Sequence, residues 1–234
     1  TTHAALKGAL AACLQGRWSN HPLSAEIRFA DGNHGQFELV LALGEHDGEP
    51  CVQLIIASRK EDSLKEVADE LSERGECSYV VADLSKEEGC RSLGEAVAER
   101  WDSLDILVNN AGAIKGGDFL STPDEEWLNG WSLKLLGYIR MAREVLPHMQ
   151  RQGGGRIVNV VGAAARNPAV TYMMGGTANA ALINFTKALS DLAVKSKVLV
   201  TGVSPGPVKT ERWDSLMAQQ AKAAGQDAEH YVRE

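Results

Sequence analysis

The chain has 234 residues and carries 24 Lys and Arg against 31 Asp and Glu, for a formal net charge of −7; it is long enough for one substantial core plus an appendage, and the acidic balance without a dense Lys/Arg cluster argues against a nucleic-acid partner. Four scattered cysteines, Cys13, Cys51, Cys77 and Cys90, lack Cys-x-x-Cys spacing, and the six histidines form no His-x-x-x-His pair, which points to reduced thiols and no metal. No apolar run nears the roughly 18 to 20 residues that span a bilayer and Thr1 to Leu14 lacks the order of a signal peptide, so a soluble, cytoplasmic protein with no membrane partner is expected.

The first fifty residues read as an N-terminal helix followed by an antiparallel β-meander. Ala25 to Ala30 alternates with Ile27 and Phe29 on one face, Asp31-Gly32-Asn33 turns, Phe37 to Leu43 is a second strand, and Gly44 to Pro50 with Asp47-Gly48 is a further turn. A soft boundary is placed near Pro50, between a segment 1–50 and a domain 51–234. From Cys51 onward strands and helices alternate: apolar 52–57, amphipathic 61–74, apolar 78–82, amphipathic 86–100, apolar 105–109. A long helix follows near 124–151 with Leu128, Trp131, Leu135, Ile139, Ala142 and Leu146 in one stripe, then a strand at 156–161, a helix near 176–194 and a strand at 198–203. Such alternation predicts parallel βαβ units. The expected class is α/β, a Rossmann-like, doubly wound, mostly parallel sheet with the meander replacing its first βα unit.

The apolar strand Leu104-Asp-Ile-Leu-Val108 runs straight into Asn109, Asn110, Ala111 and Gly112. In a parallel sheet such a strand is buried on both faces, and the small, amide-rich loop at its carboxyl end lies where an open α/β sheet binds its ligand.

From Ile55 to about Arg212 the chain resembles the short-chain dehydrogenase/reductase family. Ala57-Ser58-Arg59 resembles the ribose-reading position, where Arg implies NADP rather than NAD. Asp83-Leu84 resembles the adenine-contacting pair, although helix capping before Lys86 explains Asp83 equally well. The loop Asn110, Ala111 and Gly112 and the segment Pro205, Gly206, Pro207, Val208, Lys209 and Thr210 fall at family positions for ribose and nicotinamide contacts. The implied cofactor is NADP, or none, for a reason that lies upstream. The family's Thr-Gly-x-x-x-Gly-x-Gly loop should precede residue 52, yet the nearest string, Gly44 to Gly48, carries two acids and runs directly into a strand, so its glycines read as hairpin residues.

The resemblance also implies a Tyr acid/base with a nearby Lys, a Ser and an Asn. Aligning Ala180-Ala181-Leu182 and Phe185-Thr186-Lys187 with the family's helix puts Asn179 at the Lys position, Gly175 at the Tyr position and Gly162 at the Ser position. Counting back from Leu146-Pro147-His148-Met149 puts Lys134 at the Asn position. All four groups are replaced. Tyr172 is taken as the only tyrosine nearby, and a rescue in which Tyr172 donates the proton while Lys134 reaches in beside it competes with a reading in which Lys134 is solvated or snorkelling and Tyr172 is a structural aromatic. Gly175-Gly176 is expected to weaken the start of its helix by on the order of 1 kcal/mol per glycine.

Two functions stand against each other: an NAD(P)-dependent oxidoreductase for a carbonyl or alcohol, impaired or inactive, and a recombined, non-catalytic binding or assembly module. No substrate is named by the sequence. The helices 124–151 and 176–194 resemble the family's dimerisation pair, and a sheet without its first strand leaves a gap that the strand 37–43 or another subunit must fill. Residues 17–56 also bear a loose resemblance to the second half of a PAS sensor domain, with no bound cofactor inferred.

Overall fold

The computed structural model describes residues 38–46, 49–72, 75–112, 114–205, 217, 218 and 221. The expected first helix, the strand at 25–30, the Asp47-Gly48 turn, residues 206–216 and most of the PAS-like stretch lie outside the described residues.

Six strands form one sheet in the order β3-β2-β1-β4-β5-β6: β1 Glu38–His46, β2 Glu49–Ser58, β3 Cys77–Val81, β4 Ile106–Asn109, β5 Gly155–Val160 and β6 Val198–Val203. The helices are α1 Glu61–Ser72, α2 Glu87–Arg100, α3 Asp124–Trp131, α4 Tyr138–Arg151 and α5 Met173–Ala193. Strands β2 and β3 are parallel, as are β4, β5 and β6 in register. Strand β1 alone runs the other way, antiparallel to both β2 and β4.

That insertion fills the gap expected between β2 and β4. Val40 pairs with Ile55 on one side and with Leu107 on the other, and it is wholly buried. The unbroken apolar run Leu39-Val-Leu-Ala-Leu43 has the composition of a strand covered on both faces. The boundary expected near Pro50 falls inside β2, so the segment before it and the domain after it share one sheet.

Right-handed crossovers put α2, α4 and α5 on one face and α1 on the other. Between the sheet and the first face, Ile55, Leu93, Leu107, Met141, Met149 and Ile157 form the main core, each such side chain contributing about 1.5–3 kcal/mol by leaving water. The stripe expected along 124–151 is buried only in part: Ala142 and Leu146 belong to the core, whereas Leu128 is exposed.

Two helices differ from expectation. The stretch 124–151 is interrupted by a π-helical segment, Ser132–Gly137, a widened turn that often marks functional positions. Helix α5 starts at Met173, three residues early, so Gly175 and Gly176 lie inside it and are buried. A Cβ on Gly176 would stand in ordinary contact, 3.4 Å from the Ala164 carbonyl oxygen, so packing does not demand a glycine at that position.

Hydrogen exchange is expected to show the amides of Leu39 to Leu41 protected as strongly as those of β4. Val40→Ala is expected to lower the denaturation free energy by roughly 2 kcal/mol, and Val40→Pro, which removes a donor in mid-sheet, to prevent folding.

Candidate functional site

Because β1 is antiparallel to both neighbours, β2 and β4 run in the same direction, and the carboxyl ends of five strands share one edge. Arg59 follows β2, Asp83 and Leu84 follow β3, Asn110 to Gly112 follow β4, Gly162 follows β5 and Pro205 follows β6. The remaining expected contacts, Gly206, Val208 and Thr210, lie outside the described residues. The same register sends Gly44 to the opposite edge, paired with Cys51 at the start of β2. Gly44 is a strand residue of β1.

On the β3 side, the Asp83 carboxylate accepts from the Ser85 backbone N–H at 3.1 Å and from its hydroxyl at 2.7 Å. Helix α2 is capped instead by Lys86 in extended conformation without a side-chain cap bond, so Asp83 closes an Asx-type turn and is not the helix cap. Partial burial pushes its pKa upward, but the Ser85 bonds and the charges of Arg59 and Lys86 outweigh it and hold the carboxyl below 3.8. Arg59 and Asp83 thus feel each other across the edge. Leu84 and Ala111 are buried in the main core. Arg140 of α4 donates to the Ser85 carbonyl at 2.7 Å, anchoring this loop.

Beneath the edge runs a buried amide ladder. Asn109 donates to Asn159 Oδ1 at 2.8 Å, Asn159 donates to Thr186 Oγ1 at 2.9 Å, and Thr186 donates to the Leu182 carbonyl at 2.6 Å. The Asn109 Oδ1 has no hydrogen-bond partner among the described residues. An unsatisfied buried acceptor costs about 1–3 kcal/mol, and this one lies where β1 enters the sheet.

Around the expected catalytic positions, glycines meet foreign side chains. The Lys134 amine donates to the Tyr138 hydroxyl at 2.6 Å and to the Val160 carbonyl at 2.8 Å, while its stem crosses Gly112, whose Cβ would stand 2.5 Å from Lys134 Cδ. Lys134 is therefore neither solvated nor snorkelling. Asn179 accepts from the Gly162 N–H and donates to the Gly175 carbonyl, both at 2.8 Å, stapling the loop after β5 to α5. The Tyr172 ring fills the space beside Gly175: its Cζ lies 2.0 Å and its hydroxyl 2.5 Å from an ideal Cβ there.

Tyr172 is not the only tyrosine nearby. Tyr138, buried to 1% exposure, was missed, although its spacing of four from Lys134 on one helical stretch is a signal of contact.

A cavity of about 240 Å³ lies at the other edge between α2 and α4, lined by Trp101, Leu104, Met141 and His148, and a much smaller one, about 10 Å³, lies beside Lys115, Trp127 and Tyr172. Cys77 and Cys90 are reduced thiols, and burial pushes the Cys77 thiol up to about 11, so it is a poor nucleophile at neutral pH.

Residues 47–221 match the family model described as short chain dehydrogenase. The chain belongs to the short-chain dehydrogenase family. It is 33% identical over 181 residues to the uncharacterized oxidoreductase YvrD of Bacillus subtilis (strain 168), a match covering 77% of this chain and 68% of that protein. Among solved structures, L-sorbose reductase from Gluconobacter frateurii, complexed with NADPH and L-sorbose, superposes with a TM-score of 0.69 at 30% identity, covering 76% of this chain and 68% of that one. An actinorhodin polyketide ketoreductase variant with NADPH gives a TM-score of 0.72 at 29% identity, covering 75% and 69%. The chain thus spans about two-thirds of the length of the relatives it matches. No helix among the described residues is long and apolar enough to cross a membrane.

The described residues fit a dinucleotide at its ends better than at its middle. Arg59 and Asp83 stand on one side of the edge and a glycine with no room for a side chain, Gly112, on the other. Gly44, one of the two glycines whose spacing comes nearest to a phosphate loop, lies at the far edge.

Gly162→Ser is expected to destabilise the fold, because its Cβ would come 2.9 Å from Asn179 Nδ2. The pair Gly162→Ser with Asn179→Ala is expected to recover part of the loss, read by thermal melting. Asp83, whose pKa is lower folded than unfolded, contributes stability that is present above 3.8 and lost as pH falls through its lower folded value. Asp83→Asn should accordingly flatten the acid side of the stability profile relative to the native protein.

Proposed function

We propose that this chain is an NADP-preferring oxidoreductase for carbonyl or alcohol groups, with its proton-transfer centre rebuilt around Tyr172 and Lys134 and turning over far more slowly than an intact Ser, Tyr and Lys site. The observation that carries this reading is the Tyr172 ring lying where a side chain at Gly175 would begin. A phenol therefore occupies that place although the helix position itself is glycine. Its hydroxyl lies at the root of that position rather than at the far end of a ring growing from it, which is why proton delivery is slow. L-sorbose reductase and the polyketide ketoreductase were both solved with NADPH, and their likeness supports the reaction class.

In this reading Arg59 faces the ribose phosphate, Asp83 and the Leu84 backbone face the adenine, and Asn110, Ala111 and Gly112, with Pro205, Gly206, Val208 and Thr210, face the ribose and nicotinamide. Bound NADP would supply or accept the hydride. Tyr172 exchanges the proton with the substrate oxygen, and Lys134 beside Val160 favours the negative charge that builds there. Helices 124–151 and 176–194 supply a homodimer face, supported by exposed Leu128, Leu136 and Leu192.

A second reading, a non-catalytic binding or assembly module, is favoured by the position of Gly44 at the far edge and by Asn179 serving as a staple.

Titration with NADPH, with NADH as comparison, separates the two. NADPH is expected to bind roughly 10–100-fold more tightly, the worth of one charged hydrogen bond, and Arg59→Ala to erase the difference. Tyr172→Phe is expected to abolish the remaining carbonyl reduction without weakening NADPH. Absence of binding by either nucleotide at millimolar concentration overturns the oxidoreductase reading and leaves the module.

A further inference from the structure

We infer that Tyr138 is a positioning residue that holds the Lys134 amine at the carboxyl edge of β5; its role in turnover rests on the oxidoreductase reading, while the placement itself does not. Three contacts converge on one phenol. The Lys134 amine donates to the Tyr138 hydroxyl at 2.6 Å, the hydroxyl donates to the Val160 carbonyl at 3.1 Å, and the amine lies 4.6 Å from the ring centroid. The amine also donates to the same Val160 carbonyl. Lysine, phenol and carbonyl therefore close a triangle at the end of β5, one residue before Val161 and two before Gly162.

The surroundings make the triangle rigid. Tyr138 is 1% exposed and packs with Val161 and Leu182. Lys134 sits in the π-helical segment and Tyr138 opens α4 directly after it. Gly137 lies between them, and a Cβ there would stand 3.0 Å from the Leu84 carbonyl oxygen, which pins the widened turn against the loop after β3. Below, the Lys134 stem rests on Gly112. A lysine side chain has many rotamers to lose, so a long flexible arm held at one place needs such a partner. A phenol suits the task because it is neutral: it accepts a hydrogen bond from the amine without cancelling its charge, as a carboxylate would. Phenylalanine would fill the same volume, so the hydroxyl is the part that packing does not require.

The test reads the lysine directly. In protein carrying 13C,15N-lysine, one side-chain nitrogen resonance is expected to stand apart from those of the surface lysines, to vanish in Lys134→Arg, and to move into the surface group in Tyr138→Phe with the melting temperature kept. In NADPH-dependent carbonyl reduction, Tyr138→Phe is expected to lower kcat by roughly 10–100-fold at unchanged KM for NADPH. The double variant with Lys134→Met is expected to be no slower than Lys134→Met alone. A resonance that does not move in Tyr138→Phe, or losses that multiply in the double variant, overturns the inference. Native protein without turnover but with the displaced resonance overturns the oxidoreductase reading and leaves the placement of Lys134 standing.

Discussion

The ladder between β2 and β4 is the constraint on which the rest depends. Two parallel strands whose partner is missing present rows of unpaired N–H and C=O groups to each other, and burying those rows unpaired would cost far more than any domain of this size retains in net stability. Strand β1 satisfies both rows, Val40 lying between Ile55 and Leu107. An antiparallel strand closes the hydrogen bonds as well as a parallel one, but it reverses what stands at each edge. The sheet is thus completed, and β1 brings Gly44 and its partner Cys51 to the amino edge.

The orphan acceptor on Asn109 belongs to the same story. Its amide nitrogen is used by Asn159, and its oxygen, at the edge where β1 enters, finds no partner among the described residues. The ladder through Asn159 and Thr186 still ties β4, β5 and α5 together, so this edge is held from below.

At the carboxyl edge, small residues stand directly against large ones. Gly175 leaves room that the Tyr172 ring fills; Gly162 sits against Asn179; Gly112 lies under the Lys134 stem. Each glycine has a partner whose atoms stand within 3 Å of where its Cβ would be, so none of these positions changes alone. Lys134 in turn depends on Tyr138 and the Val160 carbonyl. The site is close-packed although its family groups are replaced, which is what tight packing demands of any interior.

How much of this was legible in the chain depends on the range of the interaction. Alternating periods of two and 3.6 along residues 52–203 identify the βαβ units, because the pattern reports local burial, and the motifs at Arg59, Asp83 and Asn110 identify the ligand edge once their strands are known to be parallel. The apolar run Leu39 to Leu43 marks a doubly covered strand, yet no local signal states its direction or its neighbours. The register of β1, the π-helical turn at Ser132–Gly137 and the Lys134–Tyr138–Val160 triangle arise from contacts between distant segments. The sequence by itself determined the family and the α/β class, since each is written in residue identity and spacing. Only the tertiary structure decided that Gly44 faces away from the ligand edge and that Tyr172 occupies the place left by Gly175, because both follow from how strands and helices stack in three dimensions.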